Sequence, residues 1–145
     1  MKNLFILLIL SLSMLSSITV SAEQEIGVTV NGAPLETSVA PQIVNDRTML
    51  PMRAVFESLG AKVSWFEADK IIIATKNDTF ITLKIGVPEM SIQTIGSSEN
   101  IAVLLDAAPF IDSDYTLVPI RAVAEALKAT VEWLPESRTV VITTE

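Results

Sequence analysis

Apolar residues recur along this chain at two different spacings, and the two spacings follow one another twice. Met52, Val55, Phe56 and Leu59 fall at i, i+3, i+4 and i+7, which is one face of a helix. Val63 and Trp65 then alternate with Lys62 and Ser64, the spacing of a half-buried strand. The same order returns with Ile120, Val123, Ala124 and Leu127, followed by Val131 and Trp133 alternating with Thr130 and Glu132. Pro51 and Pro119 precede the two helical runs and are expected in the first helical turn, where a missing N–H costs nothing. Gly60 is expected to end the first helix in a left-handed conformation. Lys128 occupies that position in the second copy, where its charge favours a helix C-terminus.

The two occurrences are an internal repeat. From Ala40 to Trp65 the chain aligns without a gap to Ala108 to Trp133 at an offset of 68, with 14 of the 26 pairs identical. Carrying the strands that follow, the repeat units span residues 40–75 and 108–143. Outside the shared stretch, Ile26, Val28 and Val30 alternate with polar or small residues up to Asn31-Gly32, a strong hairpin signal. Ala33 to Val39 is then expected as the return strand, with Pro34 marking an edge. Pro41 to Asp46 reads as a loop into the short apolar piece Thr48-Met49-Leu50. Ile71 to Thr75 is expected to pair back on Val63 to Trp65, and Thr79 to Ile85, Met90 to Ile95, Ile101 to Asp106 and Arg138 to Thr144 supply further strands.

The first 22 residues stand apart from this pattern. Lys2, the apolar run Leu4 to Leu10 and Val20-Ser21-Ala22 have the order of a secretory signal peptide, which makes Glu23 the expected mature N-terminus. The chain has no cysteine, so neither a lipid-modified cysteine nor a disulfide is available to it. Without Lys2 the chain keeps 9 basic and 17 acidic residues, a net charge of −8. That balance argues against nucleic acid and anionic membrane as partners, and no membrane span is expected after the leader. Half of residues 23–145 would make a marginal core, so the two units are expected to share one.

The stretch PQIVNDRTMLPMRAVFESLGAKVSW, the opening VTVNG, the later ITLKIG and the second VPIRAVAEALKATVEW resemble one known family. It is the copper amine oxidase N-terminal-like, or stalk, domain of exported bacterial proteins, and the resemblance runs from about Ile26 to Thr143. The first copy has Asn45-Asp46-Arg47-Thr48 where the family tends to Asn-Gly-Arg-Thr, and the second departs further with Ser113-Asp114-Tyr115-Thr116. The resemblance implies an α+β domain, antiparallel sheet packed on helices, remote from the catalytic copper of the oxidases. The expected fold is therefore α+β: two βαββ-like repeats, an antiparallel sheet on two short helices, one shared core.

The residue types present bear on chemistry in the same direction. There is no histidine for a copper site and neither histidine nor cysteine for the common nucleophile–base pairs, so no catalytic residue, metal or cofactor is expected. Tyr115, the only tyrosine, sits in an expected turn and lacks the motif of a cofactor precursor. Glu57 and Glu125 are repeat mates, each four residues after an arginine. They are either a glycosidase-like pair of acids in a secreted carbohydrate-active hydrolase or halves of i, i+4 ion pairs of about 0.2–0.5 kcal/mol. The ion pair is preferred, because a duplicated element repeats its structural residues. Arg53 and Arg121 are candidate binders of carboxylate or sugar phosphate through their bidentate forks, or else ties from helix to sheet. Trp65 and Trp133 are candidate stacking platforms, or else core. Asp112-Ser113-Asp114 has too few ligands for a cation loop and reads as turn chemistry. The expected function is a non-catalytic structural or binding module, secreted or wall-associated. Its expected partner is wall polymer or another envelope protein, with self-association through strand edges as the alternative.

Overall fold

The computed structural model describes residues 24–145, so the proposed leader lies outside the described residues. The fold is mixed α+β and mostly sheet, with two helices and thirteen strands in three sheets among the described residues. The chain opens with β1 (Gly27–Val30) and β2 (Ala33–Pro34). It continues through β3 (Gln42–Val44), β4 (Arg47–Pro51), α1 (Met52–Ser58), β5 (Lys62–Phe66) and β6 (Ile71–Lys76). Next come β7 (Thr79–Lys84), β8 (Glu89–Thr94) and β9 (Asn100–Leu104). It closes with β10 (Phe110–Asp112), β11 (Tyr115–Pro119), α2 (Ile120–Ala126), β12 (Ala129–Leu134) and β13 (Thr139–Thr144).

Elements β3 to β6 and β10 to β13 correspond at the offset of 68, so each stretch has the order ββαββ. Registers correspond as well. Ile43 faces Thr48 as Ile111 faces Thr116, and Lys62 faces Thr75 as Thr130 faces Thr143. The extra leading hairpin is a difference from the sequence reading, which had residues 41–46 as loop. Its turns have positive φ at both central residues, 50° and 58° at Asn45-Asp46 and 50° and 68° at Ser113-Asp114. That is type I′ geometry, which matches strand twist and closes a two-residue hairpin even without glycine.

The two stretches meet strand to strand. β4 runs antiparallel to β11 with Leu50 opposite Val118, its own repeat mate, and Met49–Pro119 and Pro51–Leu117 on either side. A pseudo-twofold axis therefore passes through this pair, at the centre of the sheet β10-β11-β4-β3. Alternation along the two strands sends residues to opposite faces. Leu50 and Val118 enter the main core with Val55, Phe56, Val123 and Ala124 from the helices. Met49 and Leu117 join Ala107 in a small second cluster. Gln42 Nε2 donates to Asp112 Oδ2 at 2.5 Å, bridging the two outer strands of this sheet.

The remaining sheets differ where the repeat ends. β5-β6 continues into β7-β8-β9, all antiparallel, with Trp65, Ile72, Leu83, Met90 and Val103 forming one cross-strand row. Beside β13, the mate of β6, lies β1 instead, and it runs parallel. Val28 faces Val140 and Val30 faces Ile142, so the opening strand supplies the apolar side chains that Leu83 and Ile81 supply beside β6. The single antiparallel sheet of the sequence reading is thus replaced by three sheets, one of them containing a parallel pair. β2 is likewise shorter than the expected Ala33–Val39 strand, and its pairing with β1 ends on one further bond, from Leu35 N–H to Val28 O at 2.8 Å. Both helices keep their expected apolar faces inward. Pro51 and Pro119, however, are N-caps with extended ψ of 122° and 113°, because each also ends a strand of the central pair.

Candidate functional site

Two surface grooves contain the four residues singled out from the sequence. The Trp65 groove encloses about 700 Å³ and includes Arg53 and Trp65; the Trp133 groove encloses about 650 Å³ and includes Arg121 and Trp133. They are related by the repeat. Ten positions of the Trp65 groove have their mates in the other, including the Pro-x-Arg-Ala helix opening, the glutamate four residues after the arginine, and the tryptophan. Each groove also crosses the units. Ile111, Asp114, Tyr115 and Thr116 of the second hairpin face the first helix, and Ile43, Asp46, Arg47 and Thr48 of the first hairpin line the groove of the second. The pseudo-twofold β4–β11 pair explains this crossing, since it lays each hairpin beside the other unit's helix.

Among the described residues neither arginine side chain makes a hydrogen bond or ion pair to a strand. Arg53 Nη1 donates to Glu57 Oε1 at 3.1 Å, the expected i, i+4 pair, with both side chains more than half exposed. A pair so exposed adds about 0–1 kcal/mol. Arg121 makes no ion pair with Glu125 among the described residues. Each tryptophan packs against the main core, and each also lines its groove. Glu57 and Glu125 line different grooves, so the structure does not bring these two acids together around one bond.

The grooves differ in their outer walls. In the Trp65 groove the indole Nε1–H donates to Glu67 Oε2 at 2.7 Å, Glu67 also pairs with Lys70, and the Lys70 ammonium stands 5.8 Å from the ring centroid. The hydrogen bond from Lys70, and after it the one from the indole, hold the Glu67 carboxyl below the ordinary glutamate range. Pro135 occupies the position equivalent to Glu67 beside Trp133, and it has no side-chain acceptor. The Trp133 groove is walled instead by Met90, Ile92, Val103 and Leu104 of β8 and β9. Its Arg47 is held by Asp106 through Nε at 2.7 Å and Nη2 at 2.5 Å. Tyr115 takes the place of Arg47 in the Trp65 groove.

Tyr115, Glu67 and Lys70 were not picked out from the sequence as groove residues. Glu67 stands two residues after Trp65, in the turn that follows β5. Tyr115 is the repeat mate of Arg47, but nothing local says that its hairpin reaches the other unit's helix. The Asp112 carboxylate accepts from Gln42 Nε2 and from Ser113 Oγ at 3.0 Å, side-chain partners in place of the backbone bond expected of turn chemistry.

An α+β module whose conserved-by-repeat surface features are open grooves is the class this geometry defines. Residues 29–142 match the copper amine oxidase N-terminal domain, and the chain belongs to that family, a non-catalytic domain. No curated protein and no solved structure matches the chain significantly.

Proposed function

We propose that this protein is an exported, non-catalytic binding module of the cell envelope that holds a wall polymer or an envelope protein in its two repeat-related grooves. One observation carries the reading: Arg53 with Trp65 and Arg121 with Trp133 stand in open grooves rather than being consumed in ties between helix and sheet. Export rests on the leader pattern of residues 1–22. The absence of histidine and cysteine from the sequence supports a role without covalent chemistry. The test is co-sedimentation of residues 23–145 with isolated cell wall, before and after the wall is stripped of protein. Retention on the stripped wall identifies polymer as the partner, and retention only on the unstripped wall identifies protein. Recovery of all the protein in the supernatant of both removes the reading.

A second reading, assembly through strand edges, is favoured by one feature. β9 is the last strand of its sheet and carries Ile101 at 54% and Leu104 at 83% exposure. An unpaired apolar edge is a template for another strand. Sedimentation equilibrium decides it: a concentration-dependent dimer abolished by Leu104→Lys supports edge pairing, and a monomer at every concentration excludes it.

A further inference from the structure

We propose that the Trp65 groove is a subsite for an uncharged glycan chain, with Trp65 and Tyr115 as its stacking faces. The proposal deepens the binding-module reading and rests on it. Its first support is convergence. The chain has two tryptophans and one tyrosine, and one of each lines this groove, Trp65 from β5 and Tyr115 from the start of β11 in the other unit. Tyr115 remains 41% exposed. The C–H face of a pyranose ring carries partial positive charge and lies flat on the negative face of an aromatic ring.

The second support is that the Trp65 ring is already oriented. Its indole N–H is fixed on Glu67, Glu67 is fixed by Lys70, and the side chain packs on the core. A ring held in place before the ligand arrives loses little freedom on binding. The third is polar capacity at the rim. Arg53 offers five N–H donors and uses one on Glu57, so the pair presents donors and acceptors to a ligand dense in hydroxyls or amides.

Charge then selects among polymers. Four acids line the groove, Glu36, Glu57, Glu67 and Asp114, against Arg53 and Lys70. Two of the acids are paired with the two bases, which leaves Glu36 and Asp114 without an ion pair among the described residues, on a chain of net charge −7. Phosphate-rich or uronate-rich polymers are repelled, whereas neutral hexose or N-acetylhexosamine chains are not. The enclosed volume of about 700 Å³ suits a few sugar rings.

The test uses residues 23–145 with Trp133→Phe, which leaves Trp65 as the sole indole. Chitotetraose and cellotetraose are titrated against its emission, with polygalacturonate and a lysine-rich peptide as comparisons. The expected result is a saturable change with at least one neutral oligosaccharide, none with polygalacturonate, and affinity weakened about tenfold by Tyr115→Ala but kept by Tyr115→Phe. Equal melting temperatures show that the exposed Tyr115 variants are folded. The proposal is overturned if neither neutral oligosaccharide changes the emission, if Tyr115→Ala binds as tightly as its parent, or if only the peptide responds. Wall co-sedimentation separates the two levels. Retention of the parent protein on the wall, together with no emission response to either neutral oligosaccharide, leaves the binding module standing and removes the glycan subsite. No retention of the parent protein, together with a neutral-oligosaccharide response, removes wall attachment and keeps the subsite.

Discussion

The two repeat units differ where they face the same core. In the first, the inward position at the middle of the helix is Phe56; in the second it is Ala124, and both are fully buried. The first unit's helix fills its space with one large ring. The second unit's helix presents only a methyl group there, within the same cluster, which also takes in Val28 of the parallel strand β1. Symmetry of backbone therefore survives without symmetry of packing, because the core asks only that the summed volumes fill the space.

This contrast can be broken most directly at Phe56. Phe56→Ala makes the two helices alike at this position but empties a site filled by the ring. It is expected to lower unfolding free energy by about 3–5 kcal/mol, read from urea melts of residues 23–145. The converse, Ala124→Phe, overpacks the site and is expected to cost about 1–3 kcal/mol. If Phe56→Ala were as mild as a surface change, the joint core described here would be wrong.

The third strands offer a smaller version of the same comparison. Leu83 and Val28 sit at equivalent places beside Ile72 and Val140, one on an antiparallel and one on a parallel neighbour. Leu83→Ala is expected to cost at least about 2 kcal/mol, at the low end of buried leucine deletions or above it. Val28→Ala, which removes less apolar surface and is slightly exposed, is expected to cost roughly 1–2 kcal/mol. A near-zero cost for Val28→Ala would mean that β1 is not needed to close its sheet.

These asymmetries mark what the sequence made legible. The apolar spacing at Met52–Leu59 and Ile120–Leu127 placed both helices and their buried faces, since period alone determines which side chains share a side. The offset of 68 placed the hairpins that follow them. What stayed hidden was pairing between distant segments. Nothing near Val28 says that it will lie beside Val140, and nothing near Tyr115 says that it will face Trp65's groove. Both depend on the β4–β11 junction and on which strand is free beside β13, which are properties of the assembled chain. The turn at Asn45-Asp46 was missed for a local reason: it is a type I′ turn built without glycine, so the usual signal is absent.

The helix ends give a gentler comparison. Gly60 and Lys128 follow the two helices with φ of 79° and 61°, and their N–H groups donate to Glu57 O and Glu125 O, both at 3.0 Å. The left-handed conformation costs a non-glycine residue about 1–2 kcal/mol, while glycine loses roughly 0.5–1 kcal/mol more chain entropy on folding. Lys128→Gly is therefore expected to raise stability by about 0.5–1 kcal/mol, and Gly60→Lys to lower it by a similar amount. Equal and opposite shifts in thermal midpoint would show that the two caps are interchangeable.

The last comparison is between the two tryptophans, and acid separates them. Glu67 is held below the ordinary glutamate range by Lys70 and by the Trp65 indole. Its folded-state pKa is thus lower than its unfolded one. The stabilisation it contributes is fully present above the unfolded value and is lost as pH falls through the folded value. Because the group is on the surface, the effect on global stability is small and screened by salt, but the effect on the ring is local and readable. In a Trp133→Phe protein, Trp65 emission is expected to titrate at a pH below that of an ordinary glutamate, and Glu67→Gln is expected to remove that step. In a Trp65→Phe protein, Trp133 has Pro135 in place of the carboxylate, so its emission should pass through the same pH range without this step. An identical acid step from both indoles would show that Glu67 does not set the environment of Trp65, and the ring could no longer be regarded as anchored by its carboxylate.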